Sequence, residues 1–307
     1  MATARREIEF PTLDQVTLKG WFYGVQGDVK RPCIIMASGL AGVKEQFLPD
    51  FAERFLAAGY TVLLYDHRNW GSSGGLPRNE TDPIQQARDF SDAFDYAASL
   101  PEVDANRVVF WGSSMGGGVV LHAAAMDKRI AAVVAQVPFV SGEGVAPAFA
   151  PLLPRIYSDR RKLKAGQSPS LVPIFASSSQ AAQTYYPEIV IHDKNLVPFL
   201  KCLEERNLPW NPNVTAQTCL NLIGFEPKAF IHRIAPTPVL VVVADDDVPA
   251  QTSHQLSAYA AAREPKQIII LQKSGHFDQY FGEAFEKNIA AQLKFLEQVF
   301  SSELSEF

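Results

Sequence analysis

Residues 108–118 read Val-Val-Phe-Trp-Gly-Ser-Ser-Met-Gly-Gly-Gly: four apolar residues of strand type, a serine framed by Gly112 and Gly116, and a run with few side chains. An apolar strand can bend through Gly-x-Ser-x-Gly directly into a helix only where glycines let the two backbones approach. That bend leaves Ser114 in strained geometry with its hydroxyl raised above the carboxyl edge of a sheet. The helix N-terminus behind the hydroxyl favours negative charge there. Such a joint belongs to a sheet whose strands are connected by helices, which constrains the rest of the chain.

The remaining periodicity agrees with that demand. Residues 8–11 and 16–23 read as two short strands around the turn-like Leu13-Asp14-Gln15, an antiparallel start to the sheet. Strand runs at 33–37, 60–65, 107–111, 130–136, 239–244 and 267–271 then alternate with helical stretches at 47–58, 84–100, 115–125, 252–262 and 283–301. Asp82-Pro83 fits an N-cap followed by a first helical position. The pattern breaks between Pro138 and Pro236, where prolines, aromatics and Ser/Ala stretches show no βα unit. An α/β core at residues 1–140 and 231–307, with an insertion at 141–230, is the expected organisation.

At 307 residues the chain has room for one large domain, or a core with an insertion. Its 28 basic and 33 acidic side chains leave a net charge of −5, and its longest basic cluster is Arg160-Arg161-Lys162-Leu163-Lys164, which argues against a nucleic-acid partner. Cys33, Cys202 and Cys219 are too widely spaced for a zinc site or a disulfide framework, and no metal or other cofactor is expected. Residues 1–10 contain no apolar signal core and the apolar runs are strand-sized, so a cytoplasmic protein without a membrane segment is expected. The sequons at Asn79 and Asn213 are read as chance matches.

A serine hydroxyl becomes a useful nucleophile only when a base takes its proton and an acid orients that base. Asp245, Asp246 and Asp247 follow the strand at 239–244, and His276 stands in Lys273-Ser274-Gly275-His276-Phe277-Asp278 before the last helix. His67, His122, His192, His232 and His254 lie on helices, in turns or in or near the insertion and read as packed or surface residues. A second match to the serine pattern, Gly71-Ser72-Ser73-Gly74-Gly75, leads into Leu76-Pro77 rather than a helix and reads as a glycine-rich turn. Acyl chemistry also needs oxyanion donors. One is expected at the backbone N–H of Met115, and the second in the loop Ser38-Gly39-Leu40-Ala41-Gly42, with Leu40 preferred and Ala41 its alternative.

With serine, acid and histidine in this order, and Asp66-His67-Arg68-Asn69-Trp70-Gly71-Ser72-Ser73 ahead of them, the chain resembles the α/β-hydrolase superfamily over nearly its full length. Gly42-Val43-Lys44-Glu45-Gln46, Tyr65-Asp66-His67-Arg68, Arg263-Glu264-Pro265-Lys266 and Gly275-His276-Phe277-Asp278 are similar to the dienelactone-hydrolase-related group. That group includes fungal polyketide-pathway thiohydrolases and polyketide acyltransferases. The resemblance implies an α/β-hydrolase fold, with a mostly parallel central sheet, helices on both faces and a cap inserted over the carboxyl edge. It also implies cleavage of an ester or thioester through acyl-Ser114, with water or an alcohol as acceptor.

The family's acid follows a small residue at the strand end, which here favours Asp247 over Asp246. The chain departs from the pattern at Ser38-Gly39, where His-Gly is usual, and at Ala41, where glycine is usual. A serine nucleophile instead of Asp or Cys argues against dehalogenase chemistry and against the dienelactone hydrolases themselves. The resemblance extends to a small acyl substrate carried on an acyl carrier protein or coenzyme A. Phe139, Phe149 and Leu153 are expected to line its pocket, with Val145, Leu152, Ile156, Val172, Ile174, Phe175, Phe199 and Leu200 of the insertion as further candidates. Other members of the superfamily are carbon–carbon lyases or cyclases, and a binding protein on the same scaffold with a silent triad is the alternative from another class.

Overall fold

The antiparallel start arises from alternation. In the computed structural model, which describes residues 4–24 and 29–301, β1 (Ala4–Pro11) pairs with β2 (Thr17–Gly24) from Ala4 opposite Gly24 to Pro11 opposite Thr17. Ile8, Phe10, Leu18 and Phe22 turn inward while the charged residues between them face water. The chain then alternates strand and helix: β3 (Arg31–Ala37), α1 (Leu48–Ala57), β4 (Thr61–Tyr65), α2 (Pro83–Ser99), β5 (Val103–Ser113), α3 (Met115–Met126) and β6 (Ala132–Gln136). The Asp82 carboxylate caps α2 by accepting from the N–H groups of Ile84 and Gln85.

The chain leaves the sheet at Gln136. Residues 137–238 carry α4 (Ala146–Phe149), α5 (Leu153–Lys164), β7 (Leu171–Pro173), α6 (Leu196–Glu205), β8 (Asn213–Thr215) and α7 (Ala216–Ile223), with β7 and β8 forming their own antiparallel pair. The two ends of this segment are tied at a neck, where Lys228 N–H donates to the Val140 carbonyl and Gly142 N–H to the Phe225 carbonyl. The core resumes with β9 (Val239–Asp246), α8 (Thr252–Ala261), β10 (Lys266–Gly275) and α9 (Gly282–Phe300). No helix among the described residues is long and apolar enough to cross a membrane.

The eight-stranded sheet has the order β1-β2-β4-β3-β5-β6-β9-β10, with β2 antiparallel to both its neighbours and every other pair parallel. All five residues of β4 and of β6 are buried, as parallel strands covered on both faces must be. The carboxyl ends of β3, β5, β9 and β10 therefore come together along one edge. Each of the next loops begins there: 38–42 after β3, Ser114 after β5, Asp247 after β9 and His276 after β10.

Candidate active site

Strain and close approach shape the serine turn. Ser114 has φ 59° and ψ −122°, a conformation that costs on the order of 1–3 kcal/mol and persists only where the surroundings hold it. Its N–H donates to the Gln136 carbonyl on β6 at 2.9 Å, and its own carbonyl accepts from the N–H of Phe139 at 2.8 Å. A Cβ at Gly112 would lie 2.1 Å from the Gly116 carbonyl oxygen, and one at Gly116 would lie 2.5 Å from the Ser38 carbonyl oxygen. Only glycine at those two positions lets β5, α3 and the loop after β3 meet.

Three side chains contributed by three loops form a continuous hydrogen-bonded chain. Ser114 Oγ lies 2.8 Å from His276 Nε2, and His276 Nδ1 lies 2.8 Å from Asp247 Oδ2. The Asp247 carboxylate is buried and fully engaged: Oδ1 accepts from the Ala250 N–H, and Oδ2 also accepts from Gln255 Nε2. A carboxylate on Nδ1 fixes the tautomer, so Nδ1 carries the hydrogen and Nε2 presents a lone pair to the serine hydroxyl. Asp246 points away, exposed and paired with Lys194 at 3.1 Å. Asp245 accepts from the N–H groups of Lys273 and Ser274, which hold its carboxyl below the usual range and brace the loop that carries His276.

Met115 is the first residue of α3, so its N–H has no intrahelical acceptor. The loop after β3 folds back on itself through Gly42 N–H to the Gly39 carbonyl and Ser38 Oγ to the Gly42 carbonyl, with Leu40 at the wall of the cavity above Ser114. Beneath that loop His67 Nε2 donates to the Ser38 carbonyl at 3.2 Å. Burial pulls the His67 pKa down to about 4, so the ring is neutral and its one hydrogen serves this bond.

The unfolded chain takes up a proton at His67 as pH falls through 6.5, whereas the folded protein does so only near 4. Stability is expected to drop across that window by about 3 kcal/mol from this residue alone. Urea midpoints measured from pH 7 to 4.5 check this. His67→Gln should show a shallower fall than the parent, and identical slopes would contradict the assignment.

A cavity that reaches solvent opens on Ser114. Phe47 from the turn before α1, Phe277 and Tyr280 from the loop after β10, and Phe175, Phe199 and Trp210 from the inserted segment line it. Phe199 ties this aromatic cluster together, with ring centroids 5.0 Å from Phe47, 4.9 Å from Phe277 and 5.8 Å from Trp210. Tyr280 is held from below by a 2.7 Å hydrogen bond between its hydroxyl and Ser113 Oγ. Hydrocarbon fits such walls, with Ser114, His276, Ser38 and Gln46 as the polar side chains that line the space.

A family model described as the alpha/beta hydrolase family matches residues 34–287. The chain belongs to the α/β-hydrolase family. It is 33% identical over 294 residues to "Polyketide transferase grgF" of a Penicillium species, covering 96% of each chain. The solved structure of that alpha/beta hydrolase, GrgF, superposes with a TM-score of 0.84 over 96% of this chain and 98% of the other. It is also 36% identical over 298 residues to "Quorum-quenching protein AidA" of Acinetobacter baumannii (95% of this chain, 94% of the other). To "Thiohydrolase aneE" of Aspergillus aculeatus it is 29% identical over 306 residues (97% and 95%).

In this α/β hydrolase the cavity walls differ in part from those expected: of the candidates, Phe175 and Phe199 line the space above Ser114. Phe139, Phe149 and Leu153 do not line the space above Ser114. Phe139 is bonded through its N–H to the Ser114 carbonyl, behind the serine, and its ring stacks on Phe225. Phe149 is fully buried and Leu153 half-buried in α4 and α5, which pack on α7 within the insertion. The residues that do form the walls include Gln46, Phe47, Trp210, Phe277 and Tyr280, which were not singled out from the sequence. Only Phe277, adjacent to His276, carried a positional signal.

Proposed function

We propose that the protein is a serine hydrolase that cleaves a carboxylic ester or thioester through an acyl-Ser114 intermediate. The observation that carries this reading is the unbroken chain from Asp247 through His276 to Ser114 Oγ at the floor of an apolar cavity. His276 Nε2 accepts the hydroxyl proton as Ser114 Oγ attacks the acyl carbon, and Asp247 stabilises the imidazolium that results. On this reading the N–H groups of Met115 and Leu40 donate to the oxygen that becomes negative. As the tetrahedral adduct collapses, His276 returns the proton to the departing alkoxide or thiolate. The second half repeats the sequence with water, which gives up its proton to His276 and releases the acid.

A second acceptor is favoured by the transferases among the relatives: an alcohol in place of water yields an ester from the same acyl-enzyme. Rapid mixing with an excess of a medium-chain acyl thioester tests both. A burst of free thiol equal to the enzyme concentration, ahead of slower acid release, is the expected result, and offering an alcohol divides the product between acid and ester. Thiol and acid appearing together from the first turnover, with no burst at any substrate concentration and no adduct on the chain, would oppose the acyl-enzyme.

A further inference from the structure

Gln46 and Trp210 form a wall shared by two concavities. One is the cavity over Ser114; the other is lined on its far side by Asn69, Arg78, Asn79 and Asn211. The wall joins the core to the inserted segment, since Gln46 Nε2 donates to the Pro209 carbonyl while its Oε1 accepts from the Val43 N–H. No carboxylate side chain lines the second concavity.

Arg78 is charged there without an acidic partner. Its Nη1 and Nη2 each donate once, to the carbonyls of Ser73 and Gly71, and no described carboxylate lies within 4 Å. Asp66, whose charge reaches Arg78, is already engaged by Lys44 Nζ at 2.7 Å and by the N–H groups of Lys44 and Ser72. The Asn79 amide makes no hydrogen bond among the described residues. Asn211 uses only its oxygen, toward Asn213, which leaves its NH₂ free. A guanidinium with spare N–H donors, two amide NH₂ groups without an acceptor among the described residues and no competing described acid select a phosphate-type anion. The second concavity lies directly across the Gln46–Trp210 wall from the cavity over Ser114.

On the reading of the protein as a thioester-cleaving enzyme, we propose that the concavity around Arg78, Asn79 and Asn211 holds the phosphate end of a phosphopantetheine leaving group, on coenzyme A or on a carrier domain.

The test compares one acyl group presented as its coenzyme A thioester, on a phosphopantetheinylated carrier domain, and as its N-acetylcysteamine thioester, which has the same scissile bond and no phosphate. Arg78→Met should raise KM for the coenzyme A thioester about tenfold relative to the N-acetylcysteamine thioester, with Arg78→Lys intermediate. Because Arg78 also clips the Gly71–Ser73 turn, Asn211→Ala is the second variant, expected to shift the same ratio in the same direction. A shift with coenzyme A alone assigns the site to the free cofactor; a shift with both assigns it to the arm that they share. No shift of the ratio in either variant overturns the proposal. Should the parent cleave none of the three, calorimetry of coenzyme A with the parent and with Arg78→Met separates the two failures. Binding that is lost in the variant sustains the site without the reaction, and no binding overturns it.

Discussion

Asp247→Asn is expected to lower kcat about 10⁴-fold while leaving the urea midpoint near that of the parent. Both carboxylate oxygens accept hydrogen bonds, Oδ1 from the Ala250 N–H and Oδ2 from Gln255 and His276, so an amide must turn its NH₂ toward one of these donors. Facing His276, it forces the ring to accept at Nδ1 and to carry its hydrogen at Nε2, aimed at a serine hydroxyl that then has no base. Asp246→Asn should change kcat by less than twofold, because that side chain is exposed and, among the described residues, pairs with Lys194 alone. Steady-state rates of thioester cleavage for the two variants decide between the adjacent acids. Comparable losses in both, or a loss confined to Asp246→Asn, would contradict the geometry.

The second large effect is on stability. Arg68→Met is expected to cost about 3–5 kcal/mol, because it strands a buried carboxylate. Arg68, in the turn after β4, places Nε 2.7 Å from Asp89 Oδ2 on α2, and its two terminal nitrogens reach both oxygens of Asp14 in the turn between β1 and β2. Asp89 is fully buried, and without the guanidinium its charge has no described counterion. Urea denaturation should show the loss, and adding Asp89→Leu should recover part of it by removing the stranded charge. A change below about 1 kcal/mol would show that the pair contributes little. The hydrogen bonds from Arg68 also hold the Asp14 carboxyl well below its ordinary range. That contribution is present above the unfolded-state value near 4 and is lost as pH falls further, so the acid limb of the stability curve should be shallower in the variant.

The core was legible because its signals are local. Apolar runs at 33–37, 60–65 and 239–244 can be buried on both faces only in a parallel sheet, and Gly112 and Gly116 mark a close approach that the structure displays directly. Ser114 and His276 were legible for a related reason: a strand end and a loop before a final helix are positions that chain order alone defines. The choice of acid rested on a likeness and not on alternation. Asp245 and Asp246 still belong to β9 yet both are exposed, so the strand's period says nothing about which of three consecutive carboxylates turns inward.

The cavity walls were the least legible part. Phe139, Phe149 and Leu153 are as apolar as Phe175 and Phe199, and which of these candidates faces Ser114 depends on how the insertion folds back over its neck. Proline-rich, aperiodic sequence does not encode that path locally. Phe47 illustrates the same point from the core side. It precedes α1 in a left-handed conformation, φ 54°, and this directs a residue that reads as ordinary core into the cavity.

The central claim is that His276 raises the reactivity of one hydroxyl above that of every other in the chain. Labelling with a fluorophosphonate followed by peptide mapping measures this directly. A single adduct per chain on the peptide carrying Ser114, absent in Ser114→Ala and slowed at least a hundredfold in His276→Ala, is the predicted result. An adduct on Ser72 or Ser73 in the second glycine-framed turn, or labelling of Ser114 at an unchanged rate without His276, would contradict it.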